Sequence, residues 1–153
     1  MEYLTAEKPE GCIFCYKLSE DRDRENLILF RGEKAFLMLN LYPYNSGHLM
    51  VIPHAHVPTL EVLDKDTLLE MMLLINKGLC LLREVMHPDG FNVGANIGKA
   101  AGAGISEHVH IHIVPRWEGD TSFMTIFSET RVVPELLDDT YVKLKAALQS
   151  LDF

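Results

Sequence analysis

His108-Val109-His110-Ile111-His112-Ile113-Val114-Pro115-Arg116-Trp117 decides how this chain is read. Three histidines alternate with β-branched residues, and alternation is the period of a strand. The pattern predicts one strand over residues 106–115, with the three imidazoles on one face and Val109, Ile111 and Ile113 on the other. Same-face neighbours on a strand stand roughly 6.6–7 Å apart, which lets three rings touch one run of phosphates. Directly upstream lies Gly98-Lys99-Ala100-Ala101-Gly102-Ala103-Gly104. Glycine lets backbone N–H groups turn toward an anion and lets the chain approach it closely. The loop lacks the Gly-Lys-Ser/Thr of a P-loop, and taken alone it could be a plain connection. Beside the histidines it suggests phosphoryl or nucleotidyl transfer, with neutral imidazole as the attacking group. The same alternation also suits a shared metal ion, and spacing alone leaves both readings open.

Composition narrows the setting. At 153 residues, 48% of them apolar, the chain is expected to form a single domain over 1–153 around one core. A net charge of −8 argues against a nucleic acid polymer as partner, while local donors can still hold a small anion. No run of about 18 apolar residues occurs and the N-terminus lacks the form of a signal peptide, so no membrane segment is expected. Two of the three cysteines form Cys12-Ile13-Phe14-Cys15, and the third is Cys80. That is no disulfide framework, and a reducing, cytoplasmic location fits it best.

Strands are expected over 27–31, 34–40, 47–53 and 91–97, besides 106–115. Arg31-Gly32-Glu33-Lys34 suits a hairpin turn and the stretch 42–47 is turn chemistry. A long helix is expected over 64–86, with Asp64 as N-cap and Pro88 and Gly90 ending it. A second helix is expected to start at Pro134, where Leu137, Tyr141, Leu144, Leu148 and Leu151 line one stripe. Hairpin strands, then a helix, then two more strands suggest an α+β domain with a mainly antiparallel sheet. The long helix carries more apolar residues than one stripe needs. It is either deeply packed in its own domain or covered on a second face by another subunit. Cys80, within it, is expected in the core.

Cys12-x-x-Cys15 alone could be redox-active, metal-binding or incidental. Zinc would need histidines from elsewhere, with His54, His56 and the three of the strand as candidates.

The histidine strand, the glycine loop and Asn45-Ser46-Gly47-His48-Leu49-Met50-Val51-Ile52-Pro53 together resemble the histidine triad (HIT) family of nucleotide hydrolases and transferases. The resemblance covers about Cys12 to Trp117. It implies a HIT fold, a five-stranded antiparallel sheet with two helices, and a homodimer paired through the long helix. By position it implies His110 as the nucleophile that forms a nucleotidyl-histidine, with His108 and His112 positioning phosphate and nucleophile. It implies Asn40 at the ribose and Asn96 at phosphate or the bridging oxygen. The phosphate loop falls on Gly102, Gly104 and Ser106, where many members carry Gly-Gln-Ser/Thr and this chain does not. It implies structural zinc on Cys12, Cys15, His56 and His108, with His54 as a competitor for His56, and no catalytic metal.

Two further stretches, 39–45 and 115–124, look closer to the diadenosine polyphosphate phosphorylase-like branch. There phosphate resolves the nucleotidyl enzyme, and Lys99 and Arg116 are candidates to help hold that phosphate. The expected function is therefore nucleotidyl transfer at a dinucleoside polyphosphate such as diadenosine tetraphosphate, with phosphate or water as acceptor. Two other readings stand beside it. One is a HIT phosphoramidate or nucleoside-phosphate hydrolase. The other is a nucleotide-binding protein without turnover.

Overall fold

The computed structural model describes residues 11–120 and 134–151. Its elements, in chain order, are α1 (Ile13–Ser19), β1 (Ile28–Arg31), β2 (Ala35–Leu39), β3 (Leu49–Pro53), α2 (Lys65–Met86), β4 (Gly90–Gly94), β5 (Ile111–Arg116) and α3 (Pro134–Ser150). Residues 121–124 of the second branch-like stretch lie outside the described residues.

The five strands form one sheet in the order β1-β2-β3-β5-β4, and every neighbouring pair is antiparallel. The α+β expectation and the five-stranded antiparallel sheet hold. Strands β2 and β3 are buried at every position because both faces of the sheet are covered. Leu37, Leu39, Leu49, Val51 and Ile113 join Met71, Leu74, Leu81 and Leu82 of α2 and Tyr141 and Leu144 of α3 in the larger core. Phe36, Met38, Met50 and Ile52 point the other way, against Cys12 and Phe14. Helix α2 can lie close to the sheet because Gly78 faces it. A Cβ there would stand 3.0 Å from Ile113 Cδ1 and 3.3 Å from Leu49 Cδ1.

The helix expectations hold at their ends. Asp64 caps α2 by accepting from the Thr67 N–H at 2.8 Å. Leu137, Tyr141 and Leu144 of α3 are buried, and the Tyr141 hydroxyl donates to the Ile28 carbonyl at 2.9 Å. The turn after β1 closes through the Gly32 N–H on the Ala35 carbonyl at 2.8 Å. Glu70 of α2 locks it by accepting from the Glu33 and Lys34 N–H groups at 3.1 and 2.6 Å.

Four details differ. The third helix, α1, was not anticipated. Strand β1 starts after Leu27, whose φ of 62° is incompatible with a strand. Strand β4 ends at Gly94, opposite His112, where its pairing with β5 stops. Cys80 is exposed rather than in the core, because α2 keeps an apolar outer face that also carries Leu69, Met72 and Leu73. No helix among the described residues is long and apolar enough to cross a membrane.

Candidate active site

The histidine stretch enters the sheet later than expected. Pairing of β3 with β5 stops at Val51↔Ile111, so of the three histidines only His112 lies within the strand. The reason is Pro53, which has no N–H to continue the ladder. The Val109 N–H turns to the Val57 carbonyl at 2.8 Å instead. His112 opposes Met50 in the register, which puts it on the same face as Met50 and Met38, toward α1.

His110 and His112 line one cavity together with Asn40, Asn96, Gly102 and Gly104. Their ring centroids are 4.8 Å apart, edge to face, closer than regular strand spacing allows. Helix α1 forms another wall through Ile13, Phe14 and Lys17. Phe14 packs edge-on against both His108 and His110, at 5.5 and 5.0 Å between centroids. His108 and Ser106 are not part of the cavity lining. Arg116 is also elsewhere: its guanidinium is clamped by Asp120 at 2.9 Å and Asn92 at 2.7 Å.

Hydrogen bonds dictate which nitrogen of each ring carries its proton. A carbonyl only accepts, so His110 Nδ1 must donate to the His108 carbonyl at 2.9 Å. In the neutral ring that leaves the His110 Nε2 lone pair free. A backbone N–H only donates, so His48 Nδ1 accepts from Tyr44 at 3.2 Å. His48 Nε2 then carries the proton and donates to His112 Nδ1 at 2.8 Å. His112 in turn keeps its proton on Nε2. The cavity thus pairs a nucleophilic nitrogen on His110 with an N–H donor on His112.

Burial keeps these rings neutral. It holds His110 below the usual imidazole range, only partly offset by the bond to the His108 carbonyl. Burial, together with the neighbouring His110, lowers His112 to about 4. Burial and the two other rings lower His48 to about 3. In the sequence His48 belongs to the stretch 45–53 without a role of its own, and the structure makes it the donor to His112. The signal was present in its spacing from the turn at 42–47, whose backbone supplies the Tyr44 donor.

His108 faces away from this pair. It is fully buried, and its Nε2 donates to the Pro53 carbonyl at 2.8 Å. Its Nδ1 therefore presents a lone pair, 3.3 Å from Cys12 Sγ, 3.6 Å from Cys15 Sγ and 3.3 Å from His56 Nδ1. Cys15 Sγ lies 3.5 Å from His56 Nδ1. The four ligand atoms all lie within 4.8 Å of one another. Zinc–sulfur and zinc–nitrogen bonds of about 2.3 and 2.0–2.1 Å in a tetrahedron give edges of roughly 3.5 Å for N···S and 3.3 Å for N···N. The observed edges match, so this donor set fits a tetrahedral metal ion. Burial and the neighbouring Cys12 raise the Cys15 thiol above its usual range, and a bound dication reverses that by holding the thiolate. His54 stands outside the group.

Comparison with known proteins agrees with this geometry. A family model described as HIT domain matches residues 22–119. The AP-4-A phosphorylase of Mycobacterium tuberculosis is 47% identical over 118 residues, 77% of this chain and 60% of that protein. The bis(5'-adenosyl)-triphosphatase of Dictyostelium discoideum is 35% identical over 97 residues, 63% of this chain and 64% of that protein. The chain therefore spans less than two thirds of the length of these curated relatives. The crystal structure of a Zn-bound histidine triad family protein from Mycobacterium smegmatis matches with a TM-score of 0.71 at 29% identity, covering 92% of this chain and 94% of that one. With the family model spanning its sheet and its histidines, the chain belongs to the HIT domain family.

Proposed function

We propose that the chain transfers a nucleotidyl group from a dinucleoside polyphosphate through His110. The observation that carries this is the tautomer pair in one cavity, a free Nε2 lone pair on His110 beside an Nε2–H on His112. The His110 lone pair attacks the α-phosphorus and the bond to the leaving polyphosphate oxygen breaks. His112 donates a hydrogen bond to that oxygen. The ring of His110 becomes cationic as the P–N bond forms, and the His108 carbonyl on its Nδ1–H stabilises that charge. An acceptor then attacks the phosphorus from the other side and the electron pair returns to Nε2. The Gly104 backbone N–H, with Asn96, would hold the phosphate oxygens, while Gly102, whose N–H donates to the Lys99 carbonyl at 3.0 Å, and Ser106 would shape their loop. Such preorganised donors are each worth roughly 3 kcal/mol in the transition state. Asn40 would meet the ribose.

Cys12, Cys15, His56 and His108 would hold one zinc ion. Four protein ligands leave no open position, so the ion is structural and ties α1 to the segment that carries His110. No catalytic metal enters this scheme. Ligands that must stay reduced fit a cytoplasmic location. The apolar outer face of α2 suits a homodimer, testable by sedimentation.

The name of the M. tuberculosis relative supports phosphate as acceptor in place of water. Diadenosine tetraphosphate incubated with enzyme and inorganic phosphate should yield ADP and ATP. AMP and ATP with phosphate as a mere inhibitor would make the chain a hydrolase. Absence of any nucleotide product would refute the reading.

A further inference from the structure

The two ends of the cavity are built differently. At one end α1 supplies Ile13, Phe14 and Lys17, and Phe14 leans on His110. At the other end Tyr44 packs against His48 at 4.7 Å and lies stacked on His112 at 6.1 Å and 27°. His110 and His112 stand between.

Tyr44 is 64% exposed, although it lines the cavity. A ring left that open contributes little to the core. Its loop is nevertheless held in place from several sides. The Tyr42 N–H donates to Asn40 Oδ1 at 2.9 Å and the Tyr44 N–H to His48 Nδ1 at 3.2 Å. Asn45 Nδ2 donates to the Pro115 carbonyl at 3.1 Å and to Asp120 Oδ2 at 2.8 Å. Asp120 is in turn clamped by Arg116. A large aromatic ring is thus presented to solvent by a fixed backbone, next to the histidine that faces the leaving oxygen. Aromatic rings bind nucleobases by stacking, whatever the base.

We propose that Tyr44 is the stacking platform for the second nucleoside of a dinucleoside polyphosphate, the half that departs. This rests on the reading of His110 and His112 given above. The nucleoside that becomes attached to His110 sits against α1. The leaving chain passes His112, and the Tyr44 ring lies beyond it. The subsite makes the enzyme prefer a substrate with a nucleoside at both ends over one with the same phosphates and a bare terminus.

The test compares kcat/KM for diadenosine tetraphosphate and for adenosine 5'-tetraphosphate in wild-type, Tyr44→Phe and Tyr44→Leu proteins. The preference for the dinucleotide should fall about tenfold in Tyr44→Leu, within the range for one base on one aromatic ring, and persist in Tyr44→Phe. An equal loss on both substrates would overturn the proposal, because a role confined to packing His48 and His112 acts on both alike. Tyr44→Asn replaces Tyr44→Leu if the latter fails to fold. If wild-type enzyme turns over neither compound, the catalytic reading fails instead. The platform is then judged by calorimetric binding of the same two compounds, with the same shift in preference expected and an unchanged preference refuting it.

Discussion

Replacing His48 by leucine is expected to lower kcat on diadenosine tetraphosphate by roughly a hundredfold, with KM little changed. His48 is completely buried; it meets the reacting groups through His112 and also touches Asn40 and Tyr44 of the cavity wall. Leucine removes the Nε2–H that His112 Nδ1 accepts at 2.8 Å. The nitrogen left facing leucine costs about 1–3 kcal/mol with or without a proton, and nothing then fixes the proton of His112 on Nε2. The donor facing the leaving oxygen is thereby weakened or lost. Loss of one such donor commonly costs roughly 10²–10³ in kcat. His48→Gln separates this from simple loss of packing. Its carbonyl can accept from the Tyr44 N–H and its amide can donate to His112 Nδ1, so it should retain turnover within about tenfold of wild type. Steady-state kinetics with circular dichroism as a control for folding decides the matter. A folded His48→Leu protein with wild-type kcat would refute the tautomer argument, as would a His48→Gln protein no better than His48→Leu.

Three other outcomes are expected. Protein purified without chelators should hold about one zinc per chain, and Cys12→Ser should lose zinc and melt at a lower temperature; equal metal content in both would count against the site. Stability should fall as pH drops from about 6.5 toward 4, since unfolded histidines take up protons that His48 and His112, at about 3 and 4 when folded, refuse. The slope from these two is at most about 2.7 kcal/mol per pH unit, and urea midpoints should show a smaller slope in His48→Gln; identical slopes would be evidence against neutral buried rings. Gly47→Ala should destabilise by about 1–3 kcal/mol from backbone conformation alone. Gly47 has φ of +83°, and an added Cβ would stand 2.5 Å from Met86 Sδ, so unchanged thermal stability would show that α2 does not press on this turn.

Much of the fold was legible because hydrophobic periodicity reports burial. Leu137, Tyr141 and Leu144 read as one stripe and are one. What remained illegible depended on tertiary contacts. Helix α1 has only seven residues, too few for a periodic pattern, and is held by the packing of Phe14 against the sheet. The alternation of His108, His110 and His112 reads as one face of one strand. Pro53, on a neighbouring strand, stops the ladder and lets His108 turn to the cysteines. The phosphate role implied for His108 by family position therefore meets a ring with both nitrogens directed away from the cavity, Nε2 at the Pro53 carbonyl and Nδ1 toward the cysteines. Cys80 shows the opposite error: an apolar neighbourhood along α2 does not say which side meets the sheet.

The central claim is that His110 Nε2 forms the bond to phosphorus. Enzyme mixed with diadenosine tetraphosphate without added phosphate, quenched in alkali within one turnover and digested, should yield a peptide containing His110 that carries one nucleoside monophosphate. His110→Ala protein should yield none while still binding nucleotide. An adduct on another residue, or turnover by His110→Ala at the wild-type rate, would contradict the account.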